Sequence, residues 1–267
     1  MTTQNFNTTR KYGVEIEFTL DSWKTTQLVN NAAALGLVIN QQSYNHNTQS
    51  QWKLITDSSC GWELVSPPMT GHDGFRQIGI VCQALAMVGA VVTKSCGLHV
   101  HHDCNDLTAP QLANIFAVYA KLEKTFDSMH PQSRRNNTYC QSLTYNHYND
   151  VNRLLAQLKT VKTVSQLDAM FQDRYRKVNF RSYLKYGTIE FRQHAGTTDA
   201  AKICNWVMMT QQVVEKAKGK VQMVYSPEHD NLQGLRNTLR LIEAKGASAE
   251  IAAMYKFMRN RVAKFAA

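Results

Sequence analysis

Gly187-Thr188-Ile189-Glu190-Phe191-Arg192-Gln193-His194 is the stretch on which the fold turns. At the two-residue period of a strand, Ile189 and Phe191 share one face, and Glu190, Arg192 and His194 share the other. A carboxylate, a guanidinium and an imidazole in a row have two readings. They are a solvated sheet face with a weak Glu–Arg pair, or they are a chemically active surface. The same device recurs twice upstream, which tips the reading toward the second.

Its first occurrence is KYGVEIEFTL at 11–20. Val14, Ile16 and Phe18 face one way, Gly13, Glu15 and Glu17 the other. Two carboxylates at this spacing lie on the order of 7 Å apart and repel unless something cationic sits between or above them. A hard divalent cation is one such partner, because Mg²⁺ takes one or two carboxylates together with substrate phosphates. The other occurrence is GLHVHHD at 97–103. There Leu98, Val100 and His102 take one face, and His99, His101 and Asp103 the other, so two imidazoles converge as metal ligands or phosphate donors. Between them, strands at 52–56 and 62–66 flank the turn Asp57-Ser58-Ser59-Cys60-Gly61, and Pro67-Pro68 closes the second strand. Glu63 has apolar neighbours and needs a partner if buried. Asp57 either adds a metal-ligating oxygen or makes an Asx-turn.

The rest of the chain supplies helices and loops. A helix capped by Asp21 or Ser22 runs to about Leu35 and stops at Gly36. Residues 40–51 read as a polar loop or irregular hairpin. A helix over 72–87 leads into a short strand at 90–93. Thr108, with Pro110 in the first turn, starts one long helix to about Met129. The loop at 130–141 holds the adjacent Arg134 and Arg135, which suit a phosphate or carboxylate clamp as well as a solvated bend. Helices follow at about 148–158 and 165–173. Residues 174–183 read as a strand, joined to the opening element by a turn at 184–186. Asp199 caps a helix to about Lys218, and two basic amphipathic helices over 226–267 serve core cover or an oligomer contact. Hairpins and long excursions, rather than regular βα alternation, predict an α+β fold with a largely antiparallel sheet and helices on one face.

Composition sets the outer bounds. The chain has 267 residues, 43% hydrophobic and 19% charged, which is material for a sizeable core. With no apolar run long enough to span a bilayer and a polar start, MTTQNFNTTRKYG, no membrane partner is expected. Six cysteines without a CxxC pair read as reduced thiols in a cytoplasmic protein. The net charge of +10 permits a nucleic-acid partner, but the basic residues are dispersed and do not argue for one.

Six segments in order, YGVEIEF, DSSCGWELVSPP, CGLHVHHD, SRRNNTYC, RYRKVN and GTIEFRQHAGT, resemble the amidoligase branch of the glutamine synthetase-like carboxylate–amine ligases from Tyr12 to about Val213. The resemblance implies a curved antiparallel sheet with helices on its convex face, like the glutamine synthetase catalytic domain. It implies a single catalytic domain over 1–267, with 219–267 a helical C-terminal extension. It also implies ATP and two or more Mg²⁺ or Mn²⁺ ions, with an acyl phosphate formed from a carboxylate and displaced by an amine. By position in the motifs, Glu15, Glu17, Glu63, His99 and Glu190 would be metal ligands. Arg192 would stabilise the transferring phosphoryl group, and Arg134, Arg135, Arg174, Arg176 and His101 would contact phosphate or substrate. His194 would support them from behind, and a homo-oligomer stays open. Two other readings stand beside this one. His99, His101, Asp103, Glu190 and His194 suit a zinc hydrolase, although the Glu15/Glu17 pair then has no role. A basic nucleic-acid-binding module is opposed by acidic residues on every proposed strand, which would repel phosphates.

Overall fold

The computed structural model describes residues 5–241 and 248–266. In chain order the elements are β1 (Tyr12–Phe18), α1 (Thr25–Ala34), β2 (Ile39–Gln41), β3 (Trp52–Asp57), β4 (Gly61–Val65), α2 (Gly71–Met87) and β5 (Gly97–Asp103). There follow α3 (Ala109–Lys121), α4 (Glu123–Ser128), α5 (Val151–Leu158), α6 (Val164–Met170), β6 (Val178–Asn179) and α7 (Arg181–Tyr186). The last are β7 (Thr188–Ala195), α8 (Ala200–Ala217), α9 (Leu232–Thr238) and α10 (Ala249–Ala266). The fold is α+β, with a mostly antiparallel open sheet in the order β2-β3-β4-β1-β5-β7-β6. Among the described residues β2 and β3 pair in parallel, while β3–β4, β1–β4 and β6–β7 are antiparallel. No described helix is long and apolar enough to cross a membrane.

The described chain divides into two compact units, one of residues 7–101 and 194–207, the other of 5–6, 102–193, 208–241 and 248–266. The first is strand-rich. Val14, Ile16 and Phe18 of β1 are at most 1% exposed, as the alternation predicts, and Leu54 and Leu64 pair within the β3–β4 hairpin on the same logic. The hairpin turn needs Gly61, whose φ is +101°. The second unit is helix-rich, with α3 buried along most of its length and Phe116 stacked on Phe171 at 4.4 Å.

Several elements differ from the sequence reading, each for a local reason. Residues 40–51 are not loop throughout, because 39–41 form a strand parallel to β3. The buried ammonium of Lys53 then gathers the remaining loop, donating to the carbonyls of Asn45 and Asn47 and to Asn45 Oδ1 at 2.9–3.0 Å. Residues 90–93 make a single bridge, Thr19 to Val91, rather than a strand. The helix expected over 109–129 breaks at Leu122, where φ reaches −120°. Asp230 caps the second piece, accepting from the N–H groups of Lys124 and Thr125. The expected 148–158 helix starts at Val151, because Tyr148 and Asn149 are left-handed and Asp150 takes the N–H groups of Asn152 and Arg153. Its successor, expected over 165–173, runs over Val164–Met170 behind a Thr163/Gln166 capping box. Only Val178 and Asn179 of the expected 174–183 strand pair with β7. The expected turn at 184–186 lies inside α7, which ends on left-handed Gly187 at φ +70°. The caps at Thr108 and Asp199 are as read. Of the two terminal helices expected over 226–267, α9 and α10 are found, while residues 242–247 and 267 lie outside the described ones.

Candidate metal centre and the arginine-bearing strand

In the strand-rich unit, β1 pairs with β4 so that Glu17 stands directly opposite Glu63. Like charges facing each other across strands are unfavourable unless something intervenes. The compensating groups come from β5, which flanks β1 on the side away from β4. His99 Nδ1 lies 2.9 Å from Glu15 Oε2 and its Nε2 lies 3.6 Å from Glu17 Oε1. His101 Nε2 lies 3.3 Å from Glu15 Oε1, so each oxygen of Glu15 meets an imidazole. The other oxygen of Glu17, Oε2, accepts the backbone N–H of Gly97 at 2.5 Å. His99 and Glu17 are buried, and Glu15, Glu63 and His101 are partly buried. Burial alone would raise the Glu15 carboxyl, but His101 first and His99 second outweigh it and hold it well below the usual carboxylate range.

Donor atoms of Glu15, Glu63 and His99 lie within 4.8 Å of one another. Two carboxylate oxygens and one imidazole nitrogen at that spacing suit Mg²⁺ or Mn²⁺, whose remaining positions go to water and phosphate oxygens. The donor set therefore fits the divalent cation expected from the sequence. A second group, Glu17, Asp57 and Cys60, meets the same spacing. Asp57 makes the Asx-turn: its Oδ1 accepts from the N–H and hydroxyl of Ser59 and from the N–H of Cys60. Burial opposes ionisation there, but these bonds win and lower its carboxyl.

The helix-rich unit carries Glu190 and Arg192. Glu190 is 4% exposed, with Oε1 2.5 Å from Arg192 Nη1 and Oε2 accepting from Asn179 Nδ2 at 2.5 Å. Arg134 is buried and donates to the backbone carbonyls of Arg192 and Gln193. Arg135 donates to the carbonyls of His130 and Phe265. Arg176 binds Asp173, Gln141 and the Ser142 carbonyl, beneath the ring of Tyr145. Arg174 is exposed and reaches over the Tyr175 ring at 5.4 Å. In the strand-rich unit His194 is buried, with Nδ1 2.7 Å from the Ala195 carbonyl and its ring against Trp206. Asp103 Oδ1 accepts from Asn105.

Three features were missed by the sequence reading. Lys177 is 1% exposed and bridges Glu123 at 2.8 Å and Asp127 at 2.6 Å. Burial opposes its charge, but the two carboxylates outweigh burial and raise it. Burial in turn pushes Asp127 up to about 6 in spite of Lys177. Gln193 links the network to the fold, donating to Asp127 at 2.5 Å and accepting from the Tyr119 hydroxyl. The third feature is the thiol pair Cys60 and Cys96. The Cys60 thiol hydrogen-bonds Cys96, and this contact first, with the N–H and hydroxyl of Thr93, pulls Cys96 down to about 6 while Cys60 is pushed up. None of the three carried a sequence signal; Asn179, in RYRKVN, did, since a polar residue facing Glu190 across a strand pair is what a buried carboxylate requires.

A family model described as "Putative amidoligase enzyme" matches residues 8–214. Among solved structures, one described as "Apo GmaS without ligand" aligns with 14% identity and a TM-score of 0.37, over 96% of this chain and 69% of that one. No curated protein matches the sequence.

Proposed function

The chain belongs to the amidoligase family, ligases of the carboxylate–amine type, and from that premise we propose that it spends ATP to join the two through an acyl phosphate, with Mg²⁺ or Mn²⁺ as cofactor. The observation that carries the reading is the Glu15–Glu63–His99 donor set, with Glu15 held ionised by two imidazoles. These three residues, with Glu17 and His101 beside them, would hold the cation. Bound there, it supplies positive charge against the phosphates of ATP.

The remaining roles follow from how each side chain is held. Arg192 neutralises the phosphoryl group in transfer. Glu190, fixed by Asn179 and Arg192, orients that guanidinium and is assigned as a further cation ligand. In the first step a substrate carboxylate oxygen bonds to the γ-phosphorus, and the bond to the ADP oxygen breaks. In the second the amine nitrogen bonds to the acyl carbon, phosphate leaves with the C–O electron pair, and the amine sheds a proton. Arg174, exposed, is assigned to an anionic group of the substrate. Arg134, Arg135 and Arg176 are assigned to holding the 130–147 loop in shape, because each donates to backbone carbonyls. With six free thiols, a reducing, cytoplasmic setting fits.

Hydroxylamine tests the reading as a small amine that traps acyl phosphates. Purified protein incubated with ATP, Mg²⁺ and pools of amino acids, peptides and other carboxylates should release ADP and form a hydroxamate, each dependent on both ATP and Mg²⁺. ATP with Mg²⁺ should also raise the melting temperature by several degrees, as ligand at a hundredfold excess over Kd adds about 2.7 kcal/mol. A protein that neither melts higher with Mg²⁺ and ATP nor yields hydroxamate from any pool is not this ligase.

A further inference from the structure

We propose that Gln193 is a positioning residue for Arg192, and that it acts by locking β7 onto α3 and α4. The inference deepens the ligase reading and rests on it for the role of Arg192. All the residues involved lie in the helix-rich unit. An anomaly of sequence is the starting point. The apolar face of β7 carries Ile189 and Phe191, both fully buried, and the same period calls for a third apolar side chain at 193. The chain places an amide there instead and buries it completely. A buried amide costs stability unless its partners are supplied, so an apolar residue would fill the position more simply.

The partners are supplied, and they fix the strand. Gln193 Oε1 accepts from the Tyr119 hydroxyl on α3, and its Nε2 donates to Asp127 Oδ1 on α4 at 2.5 Å. Tyr119 is itself buried, with its ring stacked on Phe126 at 4.4 Å. The backbone is held at the same place. The Arg192 N–H donates to the Lys177 carbonyl at 2.8 Å, and the Arg192 carbonyl accepts from Arg134 Nη2 at 2.5 Å. Arg134 Nε donates to the Gln193 carbonyl at 3.2 Å. Lys177 therefore meets this stretch twice, through its carbonyl on Arg192 and through its ammonium on Asp127, 2.6 Å away. Successive side chains of a strand point to opposite faces, so a slip or rotation at 193 passes directly to 192. A guanidinium that neutralises a phosphoryl group in transfer has little tolerance for such a shift, since misplacement by about 1 Å can cost about a hundredfold in rate.

Gln193→Met keeps the length of the side chain and removes its hydrogen bonds. In the hydroxamate assay it should lower kcat about tenfold while leaving KM for ATP within about twofold. It should also lower the melting temperature by a few degrees, because the Tyr119 hydroxyl loses its acceptor. Adding Tyr119→Phe removes that hydroxyl and should return most of the melting temperature but not kcat. A kcat that recovers in step with the melting temperature, or one that never falls, overturns the proposal. Nitrogen-15 relaxation supplies a readout that needs no turnover. The Nε–H signal of Arg192, identified by its loss in Arg192→Lys, should show a lower order parameter in both Met variants. The Nε–H of Arg135, which donates to the His130 carbonyl, should not change. Unchanged order at Arg192 overturns the proposal as well. Should Gln193→Met alone fail to fold, the double variant carries both measurements. A wild-type protein that makes no hydroxamate sinks the ligase reading instead, and relaxation then decides by itself whether Gln193 fixes Arg192.

Discussion

The carboxylate clusters at the centre of each unit are handled in opposite ways. In the helix-rich unit they are matched by permanent cations: Lys177 lies between Glu123 and Asp127, and Arg192 lies against Glu190. In the strand-rich unit Glu15 and Glu17 meet imidazoles and a backbone N–H instead. A lysine or guanidinium satisfies a buried carboxylate permanently and makes it part of the framework. An imidazole is a metal ligand in its own right, so a cation can take Glu15 and His99 together. The difference separates a cluster paired within the fold from the one proposed to hold the cation.

The largest effect that would break the comparison is functional. Glu15→Gln should lower turnover about a thousandfold, roughly 4 kcal/mol of transition-state stabilisation, and weaken Mn²⁺ binding at least tenfold. Its urea midpoint should stay close to wild type. Hydroxamate assays and the paramagnetic signal of free Mn²⁺ check the two halves, and an active Gln variant would remove Glu15 from the site. Next in size is Lys177→Met, which strands the buried Glu123 and the half-buried Asp127 and should cost about 3–5 kcal/mol of stability in urea unfolding. If it costs under about 1 kcal/mol, the helix-rich network is not a framework. Adding Glu123→Gln and Asp127→Asn to it should recover part of the loss.

A smaller effect appears in the pH dependence. Asp127 is raised to about 6 in the fold, above the ordinary carboxylate value of about 4. Between those values the native state holds the proton that the unfolded chain releases, so this group makes stability fall as pH rises from about 4 to about 6. Asp127→Asn should remove a decline on the order of 1–2 kcal/mol, measured as the wild-type minus variant difference in urea midpoints at pH 4.5 and 7. No such difference would mean that Lys177 keeps Asp127 ionised throughout. The smallest effect calibrates the rest: Arg76→Ala breaks an exposed 2.8 Å pair with Asp73 and should cost less than about 0.5 kcal/mol.

Much of this was legible in the strand alternation. Val14, Ile16 and Phe18 against Glu15 and Glu17, and Leu98 and Val100 against His99 and His101, assigned faces because a period of two leaves each side chain one direction. The break at Leu122 was hidden, because its cause is Asp230, more than a hundred residues away in sequence. Lys177 was hidden for the same reason: its partners come from α4, and RYRKVN looks like any polar strand. The Arg134-Arg135 dipeptide read equally as an anion clamp or a solvated bend, and only the folded loop tells that both arginines donate to backbone carbonyls.

By itself, then, the sequence determined the α+β class, the polar faces of β1, β5 and β7, and membership of the amidoligase family, because periodicity and motif order are local properties of the chain. Tertiary structure alone decided which charges compensate one another. It set Glu17 opposite Glu63, laid His99 against Glu15, and set Lys177 between Glu123 and Asp127. Those outcomes depend on strand register and on the crossing of distant segments, and Coulomb and coordination interactions act over a few ångströms of space whatever the separation along the chain.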